Sequence, residues 1–486
     1  MRNPLYKYII PAVVIGALFS CNKALDKIQP HNVTTSSVIF SQPSGYQRAM
    51  EGIYSLSIPL VNNIFFTGEA HGNNLRKLEL QSTTAQSDVF NYLHTDRIEP
   101  VLNYSKGLWN GEYNMIVTIN ELLDNVSKTE TDSVILEAKA EALFMRAFSY
   151  FTLVRFYGRP YYLQPDVNPG VPVITTLTTD NSKTARSTVK ATYAQIISDL
   201  NAAIPLFNTN RGSSYASLYA AEALLSRVYL YMGGTFTTPD AGNNQLVITH
   251  ATTVINSSSF TLLQGSDYQG YYTLQNTDNN EDIFATNTLS AATSQLVAIA
   301  GYYVPIANMS PSGTYAPSPD LLSLIGPADL RKSFYNPATY PLSTYGDAFA
   351  TNKYNLARVG FSSKSPGRNL RLAEMYLNRA ESYVKLGKNA EALADVNTIR
   401  TRAGLAALIG LTGQALFDEI LLQRRIELAF EGQIGFDYYR NGLSMVRNYV
   451  STDSQVTTVE PTSPKILLRI PVNEINLNPN LKQNEQ

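Results

Sequence analysis

An eleven-residue pattern, A-E-x-(L/Y)-(F/L)-x-R-(A/V)-x-x-Y, occurs three times in this chain without a gap, at Ala140–Tyr150, Ala221–Tyr231 and Ala373–Tyr383. Its apolar members recur at helical spacing, as Ala140, Leu143, Ala147, Tyr150 and Val154 show. The small first residue lets a neighbouring helix approach closely. Each copy runs to a glycine (Gly158, Gly233, Gly387), the residue type that commonly ends a helix at the C′ position. The third copy continues through Gly387-Lys388-Asn389 into an alanine-rich segment, 390–397, for which Asn389 is the expected N-cap. A helix, a glycine turn and a second helix make a tetratricopeptide-like unit. The copies start at irregular intervals rather than every ~34 residues, so long insertions interrupt the array. The repeated Glu141, Glu222 and Glu374 are read as structural, pairing across helices or capping turns.

The pattern predicts a mainly α fold: a tetratricopeptide-like helix-pair scaffold with long irregular insertions and a few short strands. Residues 106–126, 189–204 and 413–431 also carry helical spacing, which places helical repeats at about 106–257 and 369–432. Between about 258 and 368 the chain is rich in Thr, Ser, Asn, Gly, Pro and Tyr, a texture of loops with short strands.

Composition narrows the function. Of 486 residues, 38 are basic and 39 acidic, for a formal net charge of −1, so no basic footprint for nucleic acid exists. One cysteine excludes an internal disulfide and a thiolate-rich metal site. The four histidines, His31, His71, His94 and His250, are scattered, and none is paired with another at helical ligand spacing. No phosphate-binding, dinucleotide-binding, zinc-protease or G-x-S-x-G pattern is present. The reading is not an enzyme: no catalytic residues, no metal ligands and no cofactor are assigned. Asp278-Asn279-Asn280-Glu281-Asp282 could offer oxygen ligands to a structural calcium, but the EF-hand spacing is missing and a solvated turn is favoured.

The N-terminus is a targeting segment. Arg2 and Lys7 precede an apolar run from Ile9 to Phe19, too short to span a bilayer, which takes about 20 residues. The run ends in Leu18-Phe19-Ser20-Cys21, similar to a bacterial lipobox. Residues 1–20 are therefore read as a lipoprotein signal peptide, Cys21 as the lipidation site, 21–45 as an extended, lipidated N-terminal lead, and 46–486 as a single domain.

Taken together, the lipobox, the helices and the C-terminal segment resemble the SusD/RagB family of outer-membrane lipoproteins of Bacteroidota. The residues that carry this are EAKAEALFMRAFSYFTLVRFYG at Glu137–Gly158, Arg371-Leu372-Ala373-Glu374, Arg400-Thr401-Arg402-Ala403-Gly404-Leu405, Arg424-Arg425-Ile426-Glu427-Leu428-Ala429-Phe430-Glu431-Gly432, and Ile470-Pro471 with Glu474-Ile475 and Asn478-Pro479. Gln423 stands where the family usually has Glu. The resemblance implies a binding lipoprotein that captures oligosaccharides, or in some members peptides, and delivers them to a SusC-like TonB-dependent transporter. It implies a place in the outer membrane, held by the lipid anchor and facing the extracellular side. A helical-repeat adaptor without a small ligand is the remaining alternative.

Sugar platforms are aromatic, and the only tryptophan, Trp109, sits in a scaffold motif and is assigned to the core. Stacking would have to come from Tyr or Phe. The expected ligand contacts are Phe65 and Phe66, with His71, Asn73, Asn74 and Arg76 nearby, and Tyr268, Tyr271, Tyr272, Tyr302 and Tyr303.

Overall fold

A computed structural model of the chain describes residues 36–78, 89–90, 92–93, 103–177, 183–273, 279–286, 303, 315–338, 348–354, 366–449 and 457–485. The signal segment, Cys21 and most of the N-terminal lead lie outside these residues. Long helices run Pro43–Ala70 (α1), Asn103–Asp124 (α2), Ser133–Tyr157 (α3), Val189–Ala203 (α4), Leu218–Met232 (α5), Ala241–Ile255 (α6), Leu372–Lys385 (α7), Asn389–Arg402 (α8) and Gly413–Glu427 (α9), followed by the short Ile434–Arg440 (α10). The repeat copies lie on the first members of three packed pairs, α3/α4, α5/α6 and α7/α8. The mainly helical reading therefore holds. The extended lead does not hold to residue 45, because Ser36–Ile39 is already helical and α1 opens at Pro43, a residue suited to a first helical turn.

Side chains fix the helix starts. Asp132 accepts from the Val134 and Ile135 N–H groups, Thr188 from Ala191, Ser217 from Ala220 and Asp240 from Asn243. Each bond satisfies a donor that a helix start otherwise leaves orphaned. The ends differ from expectation. Only Gly387 takes the left-handed conformation (φ +74°), whereas Gly158 is extended and Gly233 has φ −71°. At those two positions an added Cβ would come within 2.9 Å of Val154 O and of Asn244 Oδ1, so close approach, not backbone freedom, requires glycine. Nor does Asn389 cap α8. It is the first helical residue, and its Oδ1 accepts from Gly413 N at 2.9 Å.

Every residue of α3 from Ala140 to Tyr157 is buried, the mark of a helix enclosed on all sides. Trp109 of α2 lies in this core, with ring centroids 4.8 Å from Tyr157 and 4.9 Å from Tyr113. The repeat arginines cross to neighbouring helices. Arg146 holds Asp199 of α4 through Nε and Nη2 at 2.9 and 2.7 Å, and Arg379 holds Asp395 of α8 at 2.8 Å through both nitrogens. In the middle copy Arg227 turns to Glu374, the repeat glutamate of the third copy. Glu141 pairs with Arg211 and Glu222 with His250. The repeated charges thus tie helix to helix, or for Glu141 helix to connection, and removing Asp199 or Glu374 would leave a buried arginine uncompensated.

The insertions contribute two-stranded antiparallel ribbons: β1 (Leu75–Lys77) with β3 (Tyr315–Pro317), β2 (Asp282–Thr286) with β6 (Gly367–Arg371), β4 (Tyr335–Ala338) with β5 (Ala348–Thr351), and β7 (Met445–Arg447) with β8 (Thr457–Val459). The turn after α9 presses on α1. A Cβ on Gly68 would lie 2.3 Å from Gly432 O, and Gly432 itself sits at φ +69°. Phe430 is also left-handed (φ +66°), a conformation that costs a non-glycine residue roughly 1–2 kcal/mol. Its carbonyl accepts from the Tyr354 hydroxyl, which holds it in place.

One buried acid gives the fold a pH dependence. Burial pushes the Glu112 carboxyl of α2 up to about 8, and the Ser149 hydroxyl and Arg155 guanidinium lower it only in part. A folded-state value above the ordinary 4.5 means that its contribution is fully present below pH 4.5 and is lost as pH rises through 8. We expect the melting temperature of Glu112→Gln to decline less than that of the parent between pH 6 and 9. Parallel curves in thermal unfolding at pH 6, 7.5 and 9 would contradict this.

Candidate ligand cleft

The aromatic residues expected to meet a ligand are inside the protein. Phe65 and Phe66 belong to the buried side of α1, with Phe66 4.9 Å from the Tyr315 ring. His71 follows the helix end. Its Nδ1 lies 2.7 Å from Thr67 O, it stacks on Phe436, and burial pushes it down to about 4. Asn73 donates to Val446 O at 2.7 Å, and Asn74 donates to Glu69 while accepting from Arg425. Arg76 is half-buried in β1, opposite Ala316. Tyr303 packs on Phe430 and Tyr354. Tyr302 lies outside the described residues.

Tyr268, Tyr271 and Tyr272 are buried for a specific reason: their hydroxyls serve carboxylates. Tyr268 donates to Glu427 Oε2 at 2.7 Å, Tyr272 to Glu431 Oε1 at 2.8 Å, and Tyr271 to Asp282. Those acids belong to an internal ion cluster. Arg371 reaches Glu427 and Glu431 at 2.7 Å and Glu281 at 3.2 Å. Arg402 holds both Glu281 oxygens at 2.8 and 2.9 Å and also reaches Glu427. Lys353 donates to Glu431 at 2.9 Å, and Arg331 to Asp329 at 2.7 Å. Gln423, the departure from the family's usual Glu, accepts from Arg331 at 2.8 Å without adding a charge. The three tyrosines are therefore scaffold, with no ring face open to a ligand.

The acidic turn is likewise committed internally. Asn279 Oδ1 accepts from the backbone N–H groups of Glu281 and Asp282, Glu281 serves Arg371 and Arg402, and Asp282 faces Arg368 at 3.6 Å. With their oxygens turned to arginines, Glu281 and Asp282 are not placed as calcium ligands; Asp278 lies outside the described residues. No group of three or more His, Cys, Asp or Glu side chains that could hold a metal occurs among the described residues.

A cleft of about 610 Å³ opens where the 207–217 connection with the start of α5, Ser259-Phe260 and the 279–283 segment converge, a size suited to a small organic ligand. Phe207, Tyr219 and Phe260 line it partly buried, packed against the main core, and Tyr219 and Phe260 meet edge to face at 5.6 Å. Asn208, Asn210, Asn280, Ser213 and Ser217 supply amides and hydroxyls around them. The walls are tied to the repeat helices. Glu137 accepts from Asn208 N and Thr209 N at 2.7 and 3.2 Å, and repeat residue Glu141 accepts from Arg211 at 2.8 Å. That guanidinium lies 3.8 Å above the Tyr215 ring, and Ala285 N donates to Ser213 O at 2.8 Å. Among the described lining residues Asp282 is the only charged one, and it is buried against Arg368. The chemistry presented is apolar ring surface beside neutral hydrogen-bonding groups, which fits a ligand with C–H faces and uncharged hydroxyls.

A smaller cleft of about 290 Å³ gathers Asn73, Asp320, Arg425 and Tyr438. The sequence reading missed Phe207, Tyr219 and Phe260. The available signal was a polar run, Asn208 to Ser217, flanked by aromatic residues between two helical segments.

Two family models match the chain: one described as "Starch-binding associating with outer membrane" over residues 62–230, and the SusD family over residues 326–486. A SusD-like protein of Bacteroides ovatus is 26% identical over 381 residues, a match that spans 68% of this chain and 64% of that relative's own length. SusD-like protein P25 of Formosa agariphila is 22% identical over 98% of both chains. The crystal structure of a SusD superfamily protein from Bacteroides thetaiotaomicron superposes with a TM-score of 0.80 at 26% identity, covering 92% of this chain and 100% of that one. No helix among the described residues is long and apolar enough to cross a membrane.

Proposed function

Because the chain belongs to the SusD/RagB family, we propose that it is a non-enzymatic lipoprotein that captures oligosaccharides at the cell surface. The observation that carries the glycan reading is the cleft in which Tyr219 and Phe260 stand among neutral amides and hydroxyls. These partly buried rings keep some open surface for stacking, while the neutral amides and hydroxyls among the described lining residues suit uncharged sugars. Cys21 is the proposed lipid attachment point. The outer membrane, named in the description of the matching family model, is the proposed location, with the protein facing outward. The captured glycan passes to a SusC-like TonB-dependent transporter.

Isothermal titration of the mature chain against neutral plant and microbial oligosaccharides, acidic oligosaccharides and peptides tests the ligand class. Binding to at least one neutral oligosaccharide is expected. Binding to peptides alone would overturn the glycan reading, and no binding anywhere would favour an adaptor.

A further inference from the structure

The smaller cleft of about 290 Å³ shares no lining residue with the one assigned to glycans. It opens where the residues before β1, the short helix Pro319–Ser323, α9, α10 and the flanks of β7 meet. Among its described lining residues two carry charge, and the charges are opposite: Arg425 of α9 and Asp320 of the short helix. Both are partly exposed, and among the described residues neither forms an ion pair.

Arg425 is nevertheless fixed in place, by neutral groups. Its Nε donates to Asn74 Oδ1 at 2.9 Å, its Nη2 to Asn73 O at 3.3 Å and its Nη1 more loosely to the Tyr438 hydroxyl at 3.5 Å. Asn74 is itself 0% exposed and donates to the buried Glu69 at 2.7 Å. These bonds use three of the five guanidinium N–H donors and bring no counter-charge to the other two. Asp320 is fixed as well. Its Oδ2 accepts from Asn448 N at 3.1 Å, while its Oδ1 accepts from no described residue. Such backing from behind is how a protein orients a side chain for a ligand. Leu324 and Val446 add aliphatic surface to the lining.

A lone anion here would meet Asp320 and a lone cation would meet Arg425, and like charges brought together in one site reject the ligand. A neutral sugar would displace water from both charges and answer neither. A ligand that carries both charges matches both. We propose that this cleft is a second binding site, for a zwitterionic aliphatic α-amino acid. Its carboxylate meets Arg425, its ammonium meets Asp320, and its side chain lies against Leu324 and Val446. The site is independent of the glycan reading.

Isothermal titration of the mature chain with L-valine tests this. Saturable binding with a dissociation constant in the millimolar range or tighter is expected. N-acetylvaline, which lacks the ammonium, and valinamide, which lacks the carboxylate, should each bind at least tenfold more weakly, a comparison made on the parent protein alone. Asp320→Asn keeps an acceptor for Asn448 N and removes the charge, so it should stay folded and lose at least tenfold in valine affinity. Arg425→Gln should lose as much. No saturable binding of valine up to tens of millimolar, equal affinities for valine and its two blocked forms, or undiminished binding by Asp320→Asn would overturn the proposal.

Discussion

Glu427→Ala is expected to cost the fold about 3–5 kcal/mol, a large share of a total stability on the order of 5–15 kcal/mol. Glu427 is 1% exposed and is approached by Arg371, Arg402 and Arg331, with the Tyr268 hydroxyl completing its shell. Burial alone would raise its carboxyl, yet Arg402, Arg371 and Arg331 together hold it well below the ordinary carboxylate range. Truncation leaves those cations in place with fewer carboxylates to face, and none of them can reach water without opening the packing of α7, α8 and α9. Glu427→Gln keeps an acceptor for Tyr268 but not the charge, so its loss should be smaller than that of alanine. Urea unfolding of the three proteins checks the order, and a loss under 1 kcal/mol for alanine would contradict it. The same carboxyl contributes stability at neutral pH that is lost as pH falls through its depressed folded-state value.

Phe66→Ala is expected to cost a further 3–5 kcal/mol of stability, the usual range for deleting a buried aromatic side chain. Its ring is 0% exposed against Tyr315, within the α1 surface that Gly432 and Phe430 approach. A residue acting as a sugar platform would behave differently: its removal would weaken ligand binding at a smaller cost in stability. For the fraction of Phe66→Ala that remains folded, the affinity for a bound oligosaccharide should match that of the parent. A weakened affinity with an unchanged melting temperature would restore Phe66 to the ligand site.

The contrast shows where sequence reading succeeds and where it stops. The repeat was legible because its residues recur at helical spacing within one short window. Arg146, Arg227 and Arg379 stood out as the polar members of that repeat, although their partners, Asp199, Glu374 and Asp395, could not be read from it. The helix α1 was missed although Met50, Ile53, Leu60 and Ile64 are spaced for it. Pro59 and the surrounding Ser and Asn residues disguise it as a loop. The tyrosines of 268–272 misled for a different reason. A tyrosine in a polar stretch looks solvated unless its hydroxyl partner is known, and the partners of Tyr268 and Tyr272 lie on the far side of the sequence, at Glu427 and Glu431. The cleft escaped notice because its aromatic residues come from the first turn of α5 and from two separate connections that only the helix array brings together.

A neutral glycan in this cleft would rest against the platform that the touching Tyr219 and Phe260 rings form together. Both are partly buried and pack against the main core, so each truncation costs some stability and affinity is compared on folded protein. The most direct measurement is titration of the parent and of the Tyr219→Ala/Phe260→Ala double variant with the same oligosaccharide. At least a tenfold loss of affinity is expected for the folded fraction of the variant, equivalent to about 1.4 kcal/mol. Equal affinities would contradict it and place the ligand elsewhere on the molecule.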